Sequence, residues 1–226
     1  MDRFHLQGKV ALVCGAEIAG GIARGLQERG ATVVLAGAEH GALTEDDPCM
    51  ALVRDAADQH GRLDILVNAA GGDTCEVWVP DWPTAIESRI LAAYRLSCAA
   101  RPELRKAGGG KIINVVPMAS YIGSGRWRAF RTTRDAFRRL ARNCATAWAE
   151  DNIQVNTIVP GYIDVAATRT MQAMPEFHGA TLRRTAAGRI GTADDFAGVA
   201  AFLAGPASDF VTGAEIPVDG GLLWAV

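Results

Sequence analysis

The side chains with chemistry in reach are spread unevenly along this 226-residue chain. Seven arginines stand between Arg126 and Arg142, and guanidinium forks hold carboxylates and phosphates bidentately. Near the start, the apolar run Val10–Cys14 enters Gly15, and a helical pattern opens at Glu17. A glycine turn between a strand and a helix is where a dinucleotide pyrophosphate would meet the positive end of a helix dipole. Glu17 sets a carboxylate at that same end, where it complements the dipole itself and repels an anionic ligand. The four histidines and the five cysteines (14, 49, 75, 98, 144) are scattered, with no Cys-x-x-Cys. Reduced core thiols are expected, and no metal site.

The elements that must position these residues follow from periodicity. Gly8–Cys14 reads as a strand, a helix follows to Gly30, and Ala31–Ala36 is a second strand. Only residues 38–47 then separate it from Pro48 at the next helix start. A parallel crossover takes at least roughly 10–12 residues before a further strand is added, so a helix and a third strand cannot both fit there. A helix over 48–60, a strand within Gly61–Gly71, a helix over 82–106 and a strand at Lys111–Val116 come next. After a loop holding Gly123 and Gly125, an amphipathic helix begins near Arg128. With 49% hydrophobic residues and 25 glycines, residues 1–226 read as one α/β domain. No apolar run reaches membrane-spanning length, and Met1-Asp-Arg-Phe-His lacks a secretory h-region, so a cytoplasmic location is expected.

The strand, loop and helix of residues 109–134 resemble the active-site segment of the short-chain dehydrogenase/reductase family. That family ends the strand in a Ser and opens the helix with Tyr-x-x-x-Lys. Here those positions hold Pro117, Phe130 and Arg134, and the family's further catalytic Asn falls on Arg89. The stretch Glu17–Ala31 matches the family's first helix without a gap, which places Glu17 and Ala19 on two of its loop glycines and leaves the loop two residues short. Gly37 stands where NAD-dependent members carry a ribose-binding Asp, and Val165 where a Thr usually holds the nicotinamide amide. Asn68-Ala69-Ala70-Gly71 stands for the family's Asn-Asn-Ala-Gly with one Asn missing, and Asn68 is expected to be a structural hydrogen-bonder rather than a catalyst; Asn152–Asp164 and Gly188–Gly221 follow the family closely. The resemblance implies a single-domain, Rossmann-like, doubly wound parallel sheet, with the helix and strand after strand two shortened or missing.

Functionally, these replacements imply that no catalytic, cofactor-binding or metal-binding residue of the family is retained and that no NAD(P) is bound. The expected role is a catalytically inactive subunit, no enzyme by itself, partnering a paralogous, active NAD(P)-dependent dehydrogenase in a hetero-oligomer, on the family pattern a tetramer. A second reading is a fold repurposed for non-redox chemistry or anion binding, with Arg89 and Arg134 holding the anion and Tyr121 as a candidate acid. A third is an active NAD(P)-dependent oxidoreductase. Charge supports a partner: residues 82–150 carry 13 basic and 4 acidic side chains, between flanks with 6 and 13 and with 4 and 8. A cationic middle disfavours pairing with its own copy and favours an acidic mate. No recognition motif accompanies the arginines, which argues against nucleic acid.

Overall fold

Residues 2–37, 45–69, 82–116 and 128–224 are described in the computed structural model. Six strands make one parallel sheet: β1 (Val10–Cys14), β2 (Thr32–Ala36), β3 (Ile65–Asn68), β4 (Gly110–Val115), β5 (Ile153–Pro160) and β6 (Glu215–Val218). Their order is β2-β1-β3-β4-β5-β6. β1 is a continuous apolar run because both faces of the sheet are covered, and every residue of β1, β3 and β5 is buried. The doubly wound sheet expected from the sequence is the one found.

Helix α1 (Glu17–Glu28) and α8 (Ala197–Ala204) cover one face, packing on Val13, Val67 and Ile113. Helix α2 (Asp46–His60), α4 (Ala92–Lys106) and α5 (Arg128–Ala147) cover the other, on Leu12, Leu66 and Ile112. A short helix α3 (Trp82–Ile86) leads into α4 through a wider, π-type turn at Glu87–Leu91. Two more helices, α6 (Ala166–Gln172) and α7 (Pro175–Arg184), follow β5. The first layer is close-packed: a Cβ on Gly21 would lie 2.0 Å from the Ala193 carbonyl oxygen, and one on Gly25 2.6 Å from Ala197 Cα. Only glycine lets α1 approach that far.

The shortened segment after β2 leaves β2 at the edge of the six-stranded sheet. Leu35 there is 49% exposed, as a strand without an outer neighbour would leave it. Residues 38–44 lie outside the described residues. The chain runs outward from β1 to β2, then returns to place β3 on the other side of β1. That reversal creates a crevice at the carboxyl ends of β1 and β3, the ligand position of open parallel sheets.

Among the described residues, most cations of the middle segment are paired within the fold. Arg101 and Arg105 pair with Asp151, Arg138 and Arg142 with Glu215, and Lys111 with Asp209. Arg95 pairs with Asp46 and Glu87. All six of these cations meet an acid from the flanking segments, so this part of the charge asymmetry along the sequence is paired in space. At the base of the sheet Asp64, 2% exposed, accepts from Lys9 at 2.9 Å, Arg62 at 2.6 Å and the Val10 N–H at 3.0 Å. Burial would raise its pKa, but Arg62, the Val10 amide and Lys9 outweigh that and hold it below the usual carboxylate value.

Candidate functional site

The crevice is built from backbone first. β1 leaves the sheet at Gly15, whose φ of 145° favours glycine. A Cβ there would lie 2.8 Å from the carbonyl carbon of Ala69, so the turn is pressed against the end of β3. Ala16 alone separates Gly15 from α1, and the first turn of that helix therefore faces the crevice. A twelve-residue helix carries its full partial positive charge to that end.

Asn68 ends β3, 3% exposed. Its Nδ2 donates to Asn114 Oδ1 at 3.0 Å and to Ser97 Oγ at 3.0 Å, and the Ser97 hydroxyl donates to the Ala93 carbonyl at 2.7 Å. The group thus ties β3 and β4 to α4, a structural clamp behind the crevice, as its position in the sequence suggested.

The opposite wall is the segment from β5 to α6. Val165, which replaces the family's Thr, is 3% exposed and packs into the core. Thr168, which the sequence reading overlooked, shapes this wall instead. Its hydroxyl lies 2.5 Å from the Ile163 carbonyl and 3.0 Å from the Val165 carbonyl, and the Val165 N–H donates to it at 3.3 Å. A hydroxyl in the first turn of a helix is the available signal, because such residues commonly bond local backbone.

Glu17 spans the two walls. Both carboxylate oxygens accept from the Ala166 N–H at 3.1 Å, and Arg169 Nη2 stands 3.5 Å away. Arg169 Nε also reaches Asp164 at 3.3 Å. The carboxylate expected to face its own helix dipole is thus also engaged by the start of α6, 149 residues along the chain.

Among the four family catalytic positions, Arg134 is buried on α5 at 5% exposure. Phe130 lies in the first turn of α5 and Arg89 in the π-type turn, but both side chains fall outside the described residues. Pro117 and Tyr121 fall outside them as well. The Arg89–Arg134 anion clamp is therefore not among the described contacts. Burial pushes the Cys14 thiol up to about 12 and the Cys144 thiol up to about 11, so neither is a nucleophile at neutral pH.

A cavity of about 360 Å³ opens beside the end of β5, lined by Tyr162, Arg189, Asp195, Pro217 and Asp219. Its charged groups are already used. Arg189 is bidentate to Asp195, and Asp219 accepts from the Gly221 and Leu223 N–H groups. It offers walls more than reaching groups, which leaves the crevice as the better candidate.

Residues 15–223 match the family model described as enoyl-(acyl carrier protein) reductase. The 2-dehydro-3-deoxy-D-gluconate 5-dehydrogenase of Dickeya dadantii is 35% identical, covering 99% of this chain and 98% of its own length. The gluconate 5-dehydrogenase of Gluconobacter oxydans is 32% identical over 98% of this chain and 97% of its own. Among solved structures, a gluconate 5-dehydrogenase from Burkholderia cenocepacia in complex with NADP and tartrate superimposes with a TM-score of 0.89. It is 30% identical and covers 100% of this chain and 99% of its own.

These relatives overturn three expectations drawn from the sequence: an inactive subunit, a chain that is no enzyme by itself, and the absence of a cofactor. Proteins named as dehydrogenases align with it from end to end, and one was solved with NADP. The physical reason is that no single one of the lost contacts is indispensable. A dinucleotide is held by many backbone contacts along a crevice, and losing several leaves the rest. The described residues fit such a group in their backbone: Gly15 closes the turn without a side chain, and α1 aims its first turn outward. Glu17 is the feature opposed to it.

Proposed function

The chain belongs to the short-chain dehydrogenase/reductase family, and from that premise we propose that it is an NAD(P)-linked oxidoreductase acting on hydroxy or keto acids of the gluconate class. The observation that carries this reading is the crevice at the β1/β3 reversal, together with end-to-end similarity to dehydrogenases, one of them solved with NADP. The backbone of Gly15 and Ala16 and the wall at Val165–Ala166 would hold the dinucleotide. When bound, that cofactor supplies the hydride donor or acceptor. The chain's own residues orient it: the Asn68 clamp fixes the ends of β3 and β4, and Thr168 fixes the β5–α6 wall. The substrate class rests on the names of the relatives.

The test is direct. NADH and NADPH are titrated into the purified chain by nicotinamide fluorescence, and turnover is followed by nicotinamide absorbance with gluconate and 2-dehydro-3-deoxygluconate in the oxidative direction and their keto products in reverse. Saturable binding of one cofactor with acid-dependent turnover is the expected result. Failure of both cofactors to bind at millimolar concentration sinks the reading.

A further inference from the structure

We propose that the outer edge of β2 is an interaction surface that takes a second copy of this chain, strand against strand, across a two-fold axis through Val34. The inference stands apart from the proposed activity. β2 is a terminal strand of the sheet, paired on one side with β1 and with no strand beyond it among the described residues. The Thr32 N–H donates to the Lys9 carbonyl at 2.9 Å, and the Ala36 carbonyl accepts from the Gly15 N–H at 2.9 Å. Thr32 and Ala36 therefore turn these backbone groups toward β1. Alternation along a parallel strand then turns the N–H and C=O groups of Val33 and Leu35 outward. An open row of this kind is a template for another strand, and proteins blunt it with Lys, Pro, a bulge or a covering element. The strand Thr32-Val33-Val34-Leu35-Ala36 carries no charge and no proline, and its register against β1 runs without a bulge.

The occupant follows from what the edge offers to itself. With two copies set antiparallel about Val34, Val33 of one faces Leu35 of the other, and every outward donor meets an outward acceptor. Leu35, 49% exposed, then gains an apolar neighbour on the α1 face, where Val33 packs on the core. Val34, which packs on the core of the α2 face, meets its own copy there. No side chain of the strand sets a charge against its like, which directly opposed charged residues would do. β2 and β6 are opposite edges of the sheet, so the pairing leaves β6 free. A five-residue strand is a small contact beside the roughly 1,200–2,000 Å² that specific interfaces bury, so the dimer is expected to depend on concentration.

The experiment follows the mass of the wild-type chain and of Leu35→Lys by sedimentation from micromolar to millimolar concentration, with circular dichroism reporting that the variant is folded. The mass of the wild type should rise by a doubling step. Leu35→Lys adds a charge at the edge and touches no bond to β1, and should weaken that step about 10-fold or more. Val34→Cys gives a second reading with position 35 unchanged. Opposed residues of the non-hydrogen-bonded kind lie about 4.5 Å apart at Cα, within disulfide range. Oxidised glutathione should therefore join two Val34→Cys chains, the two thiols giving a disulfide and two reduced glutathiones, above the background of the wild-type cysteines. A wild type that stays monomeric to millimolar concentration overturns the pairing. So does association unchanged by Leu35→Lys, or no excess of bridged dimer in Val34→Cys, which decides alone should Leu35→Lys not fold. Val33 and Leu35 amides that exchange slowly at every dilution would assign the edge to a segment of the same chain instead.

Discussion

Phe130 is the residue whose chemistry weighs most on rate. In the family this position carries the tyrosine hydroxyl that passes the proton, and a positioned acid or base contributes about 10²- to 10⁴-fold. Phe130 has the ring without the oxygen, Pro117 has neither hydroxyl nor N–H, and Arg134 stays protonated where the family has Lys. On the oxidoreductase reading, restoring all three should therefore have an effect. The variant Pro117→Ser, Phe130→Tyr, Arg134→Lys is expected to raise turnover about 100-fold or more over the wild-type chain with the same acid and cofactor. Equal rates in the two proteins, measured at saturating NADPH, would show that the proton travels by another route. Asp64 makes a second prediction at this scale. Asp64→Ala leaves the buried Val10 N–H without its acceptor and the half-exposed Lys9 and Arg62 without their shared carboxylate, and should cost about 1–2 kcal/mol in denaturant unfolding. Because its folded pKa lies below the usual value, the contribution of Asp64 is complete above ordinary carboxylate titration and is lost as pH falls below it.

At the scale of elements, the placement of α1 depends on its glycines more than on its apolar face. Gly21→Ala would drive a methyl group to 2.0 Å from the Ala193 carbonyl, so α1 must move or the 193–196 turn must give. A loss of about 1–3 kcal/mol is expected. Weakened cofactor binding should accompany it, because the first turn of α1 moves with the helix. The turn that receives α1 is itself capped. Thr192 and Asp195 form a reciprocal capping box, with the Asp195 carboxylate accepting from the Thr192 N–H at 2.8 Å and from Arg189. Arg189 holds the Asp195 carboxyl down at about 2. Its stabilisation is present above the ordinary carboxylate range and disappears as pH falls toward about 2. Asp195→Ala should cost about 1 kcal/mol near neutral pH and less at the acid end, read from thermal unfolding at several pH values.

For the whole molecule, Arg138 and Arg142 of α5 are paired within the chain and demand no acidic mate. Arg138 donates to Glu215 on β6 and to Asp135 on its own helix, and its side chain is only 16% exposed. Arg138→Glu would place two carboxylates against each other beside β6, and a destabilisation of about 3 kcal/mol is expected. Arg139 is exposed, so Arg139→Glu should leave stability unchanged and act on association alone. A hetero-oligomer with a paralogous subunit remains our proposal for assembly, on the strength of the retained α4, α5 and β6 segments. Light scattering of the purified chain, alone and mixed with candidate paralogues, measures it: a mixed species that Arg139→Glu weakens is the expected outcome. A stable homo-oligomer indifferent to every relative would rule it out.

The order of strands and helices, the edge position of β2 and the structural part played by Asn68 were all legible in the residues. Each follows from local pattern: continuous apolar runs for strands buried on both faces, a linker too short for another strand, an amide at a strand end. The identity of the groups at Pro117, Phe130 and Arg134 was equally plain, since a missing hydroxyl is missing in any conformation. What tertiary structure decided was where charge goes. Glu17 meets Ala166 and Arg169 across 149 and 152 residues of chain, and Glu215 neutralises Arg138 across 77. Coulomb interactions depend on distance in space, which composition along a sequence does not contain, so six cations of the cationic third found acids of the flanking segments in the fold. The same limit applied to Thr168, whose role is set by how β5 turns into α6 rather than by any spacing that could be read beforehand.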